Sequence, residues 1–79
     1  MKKEVQLFGM LKEQYGSPVF VEVTELPLSA KELVVAFRNQ FHEVQDLPFL
    51  IAKNHFMIQE ADLIEAQDHV ALLPPVSGG

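Results

Sequence analysis

One small α+β domain is what this chain predicts: a mixed sheet of about five strands with one main helix on one face. Three observations point there. Apolar residues alternate in several short runs, the pattern of half-buried strands. One helix start stands out, where Ser29 precedes Glu32 at capping-box spacing and an apolar stripe follows at helical intervals. The length, 79 residues, allows a single domain with a thin core.

The elements follow in order. Val5-Gln6-Leu7-Phe8 opens as a strand, with Val5 and Leu7 on one face and Gln6 and Phe8 on the other. Residues 10–15 read as a short helix, which Gly16 ends in the left-handed region. Ser17-Pro18 turns the chain into a second strand over 19–24, placing Val19, Val21 and Val23 opposite Phe20, Glu22 and Thr24. The short connection favours an antiparallel pair. The capped helix then spans 30–41, its stripe made by Leu33, Ala36, Phe37 and Phe41, and Gln45-Asp46-Leu47-Pro48 breaks it. Phe49-Leu50-Ile51-Ala52 is apolar enough for a central strand, and Asn54-His55 suits a tight turn into Phe56-Met57-Ile58. Residues 60–67 fit either a helical turn or an irregular loop. Residues 69–73 form the last strand, with Val70 and Leu72 opposite Ala71 and Leu73, and Pro74-Pro75 ends regular structure. The β-grasp fold fits this order. A ferredoxin-like arrangement would need a second full helix, for which 59–68 is too short and too polar. The domain is therefore expected over 1–75, with 76–79 as a flexible tail.

Composition removes several function classes. The formal charge is −5, from 11 acids against 6 bases, which argues against nucleic acid as the main partner. An acidic domain suits a basic protein surface instead. With no cysteine there is no disulfide scaffold, thiolate metal site, cysteine nucleophile or side-chain persulfide. Glu4, Gln6 and Lys12 interrupt the start too early for a signal peptide, and no run approaches the roughly 18 apolar residues of a membrane span. A soluble cytoplasmic protein is expected.

Few side chains suggest chemistry of their own. His42, His55 and His69 lack helical metal-ligand pairing, so they read as solvated or turn residues. Asp68, His69 and Ser77 have the residue types of a hydrolase triad. However, adjacent Asp and His cannot readily aim at one another, and no nucleophile elbow surrounds Ser77. Glu60/Asp62 and Glu65/Asp68 read as solvated loop charges. There is no glycine-rich phosphate loop.

The C-terminus is the remaining candidate. A terminal Gly-Gly can be a frayed end, but here an ordered strand and the stiff Pro74-Pro75 pair precede it, and no charge or bulky group follows Val76. The five residues from Pro75 reach at most roughly 17 Å when extended. Lacking Cβ atoms, Gly78 and Gly79 let the backbone enter a narrow channel. Joined to an adenylate, the Gly79 carbonyl becomes electrophilic, and attack by a sulfur donor converts it to a thiocarboxylate. In a chain without cysteine, the terminal carbonyl is the one place to carry sulfur.

These residues resemble a known family. Asp68-His69-Val70-Ala71-Leu72-Leu73-Pro74-Pro75-Val76-Ser77-Gly78-Gly79 is similar to the closing run of the molybdopterin synthase small subunits, Gly-Asp-Glu-Val-Ala-aromatic-aromatic-Pro-Pro-Val-Ser/Thr-Gly-Gly. Leu7-Phe8-Gly9-Met10-Leu11-Lys12-Glu13-Gln14-Tyr15-Gly16 and Ala52-Lys53-Asn54 resemble two further family patterns. Lys12 stands where Arg is usual, Gln67 replaces a glycine, and Leu72 and Leu73 replace aromatics. The resemblance implies a ubiquitin-like β-grasp fold and a non-catalytic, sulfur-donating subunit. An adenylating enzyme would activate Gly79 with ATP and magnesium, and a sulfurtransferase would supply sulfur. No cofactor would be held stably by the chain itself. The tail, with Pro75, Val76 and Ser77 leading Gly78 and Gly79, would enter the large subunit of a heterotetramer. There, cyclic pyranopterin monophosphate would receive two sulfurs to become molybdopterin. Two functions share the chemistry: sulfur carriage for thiamine thiazole synthesis, and ubiquitin-like protein modification. A non-catalytic interaction domain with an idle tail is a third.

The first and last strands are neighbours in a β-grasp sheet, so Phe8 and Leu73 could share its helix-free face as a docking surface beside the tail. A register shifted by one residue would instead put both in the core.

Overall fold

The computed structural model describes residues 1–44 and 48–75. Strand β1 (Lys2–Leu7) alternates strictly, with Lys3, Val5 and Leu7 inward. Helix α1 (Gly9–Tyr15) buries only Leu11, and Gly16 ends it at φ 84°, its N–H donating to the Lys12 carbonyl. Strand β2 (Val19–Glu22) keeps the expected faces, and Val23 beyond it is also buried. β3 (Leu28–Ser29) leads directly into α2 (Ala30–Gln40).

The capping box forms as its spacing predicts. Glu32 N–H donates to Ser29 Oγ at 3.1 Å, and Ser29 N–H to Glu32 Oε1 at 2.9 Å. Two more orphan donors of the first turn are satisfied from the far end of the chain: Ala30 N–H donates to Asp62 O, and Lys31 N–H to Glu60 O. The helix stops at Gln40 with Phe41 as its cap, one residue short of expectation. Of the proposed breaker, residues 45–47 lie outside the described residues. A 3-10 turn, His42–Val44, follows the helix.

β4 (Leu50–Lys53) and β5 (Phe56–Met57) form a hairpin whose turn residues, Asn54 and His55, take φ 52° and 75°. Positive φ at both central positions is the two-residue hairpin signature, tolerated best by Asn and a few other polar residues. β6 (Leu63–Ile64) and β7 (Val70–Leu73) complete the elements.

The main sheet has five strands in the order β2-β1-β7-β4-β5. β1 and β7 run parallel and the other pairs antiparallel, so the sheet is mixed, with the last strand in its centre. Helix α2 lies across one face. Leu33 and Phe37 from the helix meet Val5, Leu7, Val21, Val70 and Leu72 from the sheet, all essentially inaccessible to solvent. This is the β-grasp arrangement.

One stretch differs from expectation. Residues 60–67 hold neither a helical turn nor a wholly irregular loop, because β6 pairs with β3, Leu28 opposite Ile64 and Ser29 opposite Leu63. Ile64 is fully buried. Nor are the acids around it all idle: Asp62 accepts the Gln59 N–H at 2.7 Å and Asp68 the Glu65 N–H at 2.8 Å. Each carboxylate closes a local turn, which lets a polar segment fold without a helix.

Candidate functional site

The end of β7 directs the chain toward its C-terminus, and several contacts fix it. Its parallel neighbour holds one side, with Phe8 N–H donating to Leu72 O at 3.3 Å. Pro74 then packs on Gly9. A Cβ at Gly9 would stand 3.1 Å from Pro74 Cγ, and Gly9 already lies at φ 60°. Glycine is thus required there twice, for its backbone conformation and for the approach of Pro74. The sequence shows Gly9 within a pattern but gives no reason for it, since the reason is a residue 65 positions later.

The start of β7 is clipped as firmly. Asn54 exchanges two hydrogen bonds with His69: its N–H donates to His69 O, and its side-chain oxygen accepts the His69 N–H. The Asn54 amide also donates to Asp68 Oδ1 at 3.0 Å. The Glu65 N–H, then Asn54, hold the Asp68 carboxyl below the usual carboxylate range, helped by Lys53 and Lys3. The Asn of Ala52-Lys53-Asn54 and the Asp of the closing run thus share one task, locking the β4–β5 turn to the foot of the tail-bearing strand.

Lys3 is the unexpected member. Its side chain enters the inward face of β1, and its ammonium donates to the carbonyls of Glu65, Ala66 and Asp68. Burial lowers its pKa, opposed by Asp68 and Glu4. A buried ammonium with three acceptors fastens the 65–68 turn beneath β7.

The helix-free face carries the second part of the site. Phe8 is 47% exposed there, beside half-buried Leu73. The expected faces of β1 and β7 are correct, and neither side chain belongs to the core. The patch is also broader than that pair. Leu50 lies opposite Leu73, while Gln6, Ala71, Ala52 and Met57 form a row across four strands. Leu50 and Met57 are both largely exposed. A shallow depression of about 250 Å³ runs through it, lined in part by Phe8, Ala71 and Leu73 with His55 and His69 at its rim. Pro75 is exposed, whereas Val76, Ser77, Gly78 and Gly79 lie outside the described residues. Among the described residues no His, Asp and Glu cluster of three or more could hold a metal ion, and no helix is long and apolar enough to cross a membrane.

A family model, that of the ThiS family, matches residues 5–79. The chain belongs to the ThiS family. The resemblance drawn from its closing run therefore holds, and this ThiS domain has solved structural relatives along its whole length. The complex of subunits 1 and 2 of molybdopterin-converting factor from Helicobacter pylori 26695 contains a chain 30% identical to it, covering 100% of both chains, with a TM-score of 0.65. SAMP1 from Haloferax volcanii is 24% identical over 100% of both chains, with a TM-score of 0.79. A Pyrococcus furiosus protein described as molybdopterin converting factor subunit 1 is 17% identical over 96% of this chain and 99% of its own, with a TM-score of 0.80. The latter two likenesses establish the shared fold.

Proposed function

We propose that this ThiS domain is the sulfur-carrying small subunit of a molybdopterin synthase. The observation that carries the reading is a family match that runs to the terminal Gly79, joined to 30% identity with a chain from a molybdopterin-converting factor complex. The Pro74-Pro75-Val76-Ser77 run before the two glycines supports the molybdopterin branch over the thiamine branch.

The chemistry centres on one carbon. The Gly79 carboxylate attacks the α-phosphorus of ATP in an adenylating partner that supplies magnesium, and pyrophosphate leaves. A donor sulfur at the hydrosulfide level, delivered by a sulfurtransferase, then attacks the carbonyl, and AMP leaves. The thiocarboxylate is a nucleophile held on a narrow, side-chain-free arm. Inside the large subunit its sulfur attacks a side-chain carbon of cyclic pyranopterin monophosphate, a C–O bond there breaks, and the oxygen leaves as water. A second water then cleaves the resulting thioester, which leaves the sulfur on the pterin and returns the Gly79 carboxylate. Two such transfers build the dithiolene, in keeping with a heterotetramer of two small and two large subunits. The large subunit supplies the pocket, so this chain acts as a cosubstrate.

The folded domain supplies direction. The Phe8–Leu72 bond and the Gly9–Pro74 contact fix where the tail departs. The apolar row from Phe8 and Leu73 to Leu50 and Met57 offers the large subunit a docking face beside that point. Removal of Gly79 tests the proposal. Sulfur transfer to the pyranopterin should be abolished while binding to the large subunit persists, and undiminished transfer would refute it. Incubating the thiocarboxylated chain with a thiazole synthase separates the thiamine reading, which predicts sulfur release there instead.

A further inference from the structure

A second groove lies on the helix side of the sheet, away from the face proposed for the large subunit. It runs between β2 and α2, has a volume of about 730 Å³, and is floored by apolar Val23, Leu28, Val35 and Ala36. Val35 is 49% exposed although it sits on the helix that covers the sheet. Glu22, Glu25 and Glu32 stand at the rim against a single Lys31. Glu22 also meets the N-terminal ammonium at 3.7 Å, and Glu32 serves the helix cap.

The groove is bounded by an open sheet edge. β2 is an outer strand of the main sheet, and its inner hydrogen bonds go to β1. On the outer edge, Gln40 at the end of α2 donates from Nε2 to Phe20 O at 2.8 Å, and its Oε1 accepts the Glu22 N–H at 3.1 Å. A strand residue set opposite Val21 in parallel register would make the same two bonds. The Gln40 carboxamide therefore imitates one residue of a missing sixth strand, and a side-chain amide on a flexible stem is displaced more readily than a paired backbone.

We infer that the β2–α2 groove binds an extended peptide segment of a partner protein, with apolar side chains at alternate positions and Lys or Arg flanks, which displaces Gln40 and pairs with β2. The edge supplies main-chain hydrogen bonds, the apolar floor takes alternate side chains, and the acidic rim selects basic flanks. β2 lies two strands from β7, so the groove can be filled while the helix-free face and tail are engaged elsewhere. This inference does not depend on the proposal of sulfur carriage.

Fluorescence anisotropy with two labelled synthetic peptides tests it: alternating Val and Ile flanked by Lys, and the same run flanked by Glu. The Lys-flanked peptide should bind, and the Glu-flanked one at least about tenfold more weakly. Val35→Asp should lower affinity about tenfold or more. Glu25→Lys, at an exposed position where folding is not at issue, should narrow the preference between peptides. Gln40→Ala should tighten binding by removing the competitor, and Leu73→Asp should change nothing. Equal binding of both peptides, an unaffected Glu25→Lys variant, or weaker binding by Gln40→Ala would each overturn the inference. So would self-association of Gln40→Ala by sedimentation, since the edge would then accept a second copy of the chain.

Discussion

Replacing Gly9 by Ala should separate the stability of the domain from the aim of its tail. Gly9 has φ 60°, where an L-residue costs roughly 1–2 kcal/mol. Its new Cβ would also lie 3.1 Å from Pro74 Cγ and 3.5 Å from Cδ, so Pro74 must give way by a few tenths of an ångström. The backbone cost alone lowers the melting temperature of a domain this size by roughly 4–16 °C. Gly16→Ala is the matched control. At φ 84° and ψ −178° it carries strain of roughly 1–3 kcal/mol, but nothing lies within 4 Å of the added atom. Both variants should melt earlier by circular dichroism. Single-turnover sulfur transfer, measured well below both melting temperatures, should slow only in Gly9→Ala. A slowing of roughly tenfold is expected, since ångström-scale misplacement of a reacting group costs on the order of 10²-fold. Normal transfer by Gly9→Ala, or equal slowing of both variants, would refute the role of the Gly9–Pro74 contact.

Other outcomes follow from the same geometry. Leu73→Asp and Leu50→Asp should each weaken large-subunit binding about tenfold or more in a titration while the far-ultraviolet spectrum stays unchanged; an unfolded Leu73→Asp would return that residue to the core. Lys3→Met leaves the part-buried carbonyls of Glu65, Ala66 and Asp68 without their charged donor and should cost about 1–3 kcal/mol in urea unfolding. The Glu32 pKa is lowered by hydrogen bonds from the Ser29 backbone and then its side chain. The unfolded chain therefore takes up this proton first on acidification. The Glu32 contribution is complete above the ordinary glutamate range and is lost as pH falls through the lowered folded value. A carboxyl-detected NMR titration should place Glu32 below the ordinary glutamate range, and Ser29→Ala should move it upward.

What the sequence revealed depended on how local the deciding interaction was. The α2 start was legible because Ser29 and Glu32 lie three residues apart and act on each other. The β4–β5 turn was legible because Asn54 and His55 carry its backbone requirement themselves. The β3–β6 pair was not, since two residues show no period and Leu28 finds Ile64 only through the fold. Lys3 follows the same inward alternation as Val5 and Leu7, but its charge argued against burial, and its three carbonyl acceptors lie more than 60 residues away. In the candidate site, alternation correctly divided the faces at Phe8 and Leu73. Leu50 was missed because Phe49-Leu50-Ile51-Ala52 is apolar throughout and shows no preferred face until β7 fixes its register. The purpose of Gly9 needed Pro74 to be seen beside it.

Intact mass spectrometry of the chain purified from its own cells reads the state of the Gly79 carbonyl group itself. Sulfur carriage predicts a population heavier by the difference between one sulfur and one oxygen, with the extra mass on the C-terminal peptide ending in Gly78-Gly79. A chain that carries only the ordinary carboxylate, even when molybdopterin synthesis is active and the large subunit is depleted to block sulfur discharge, would contradict it.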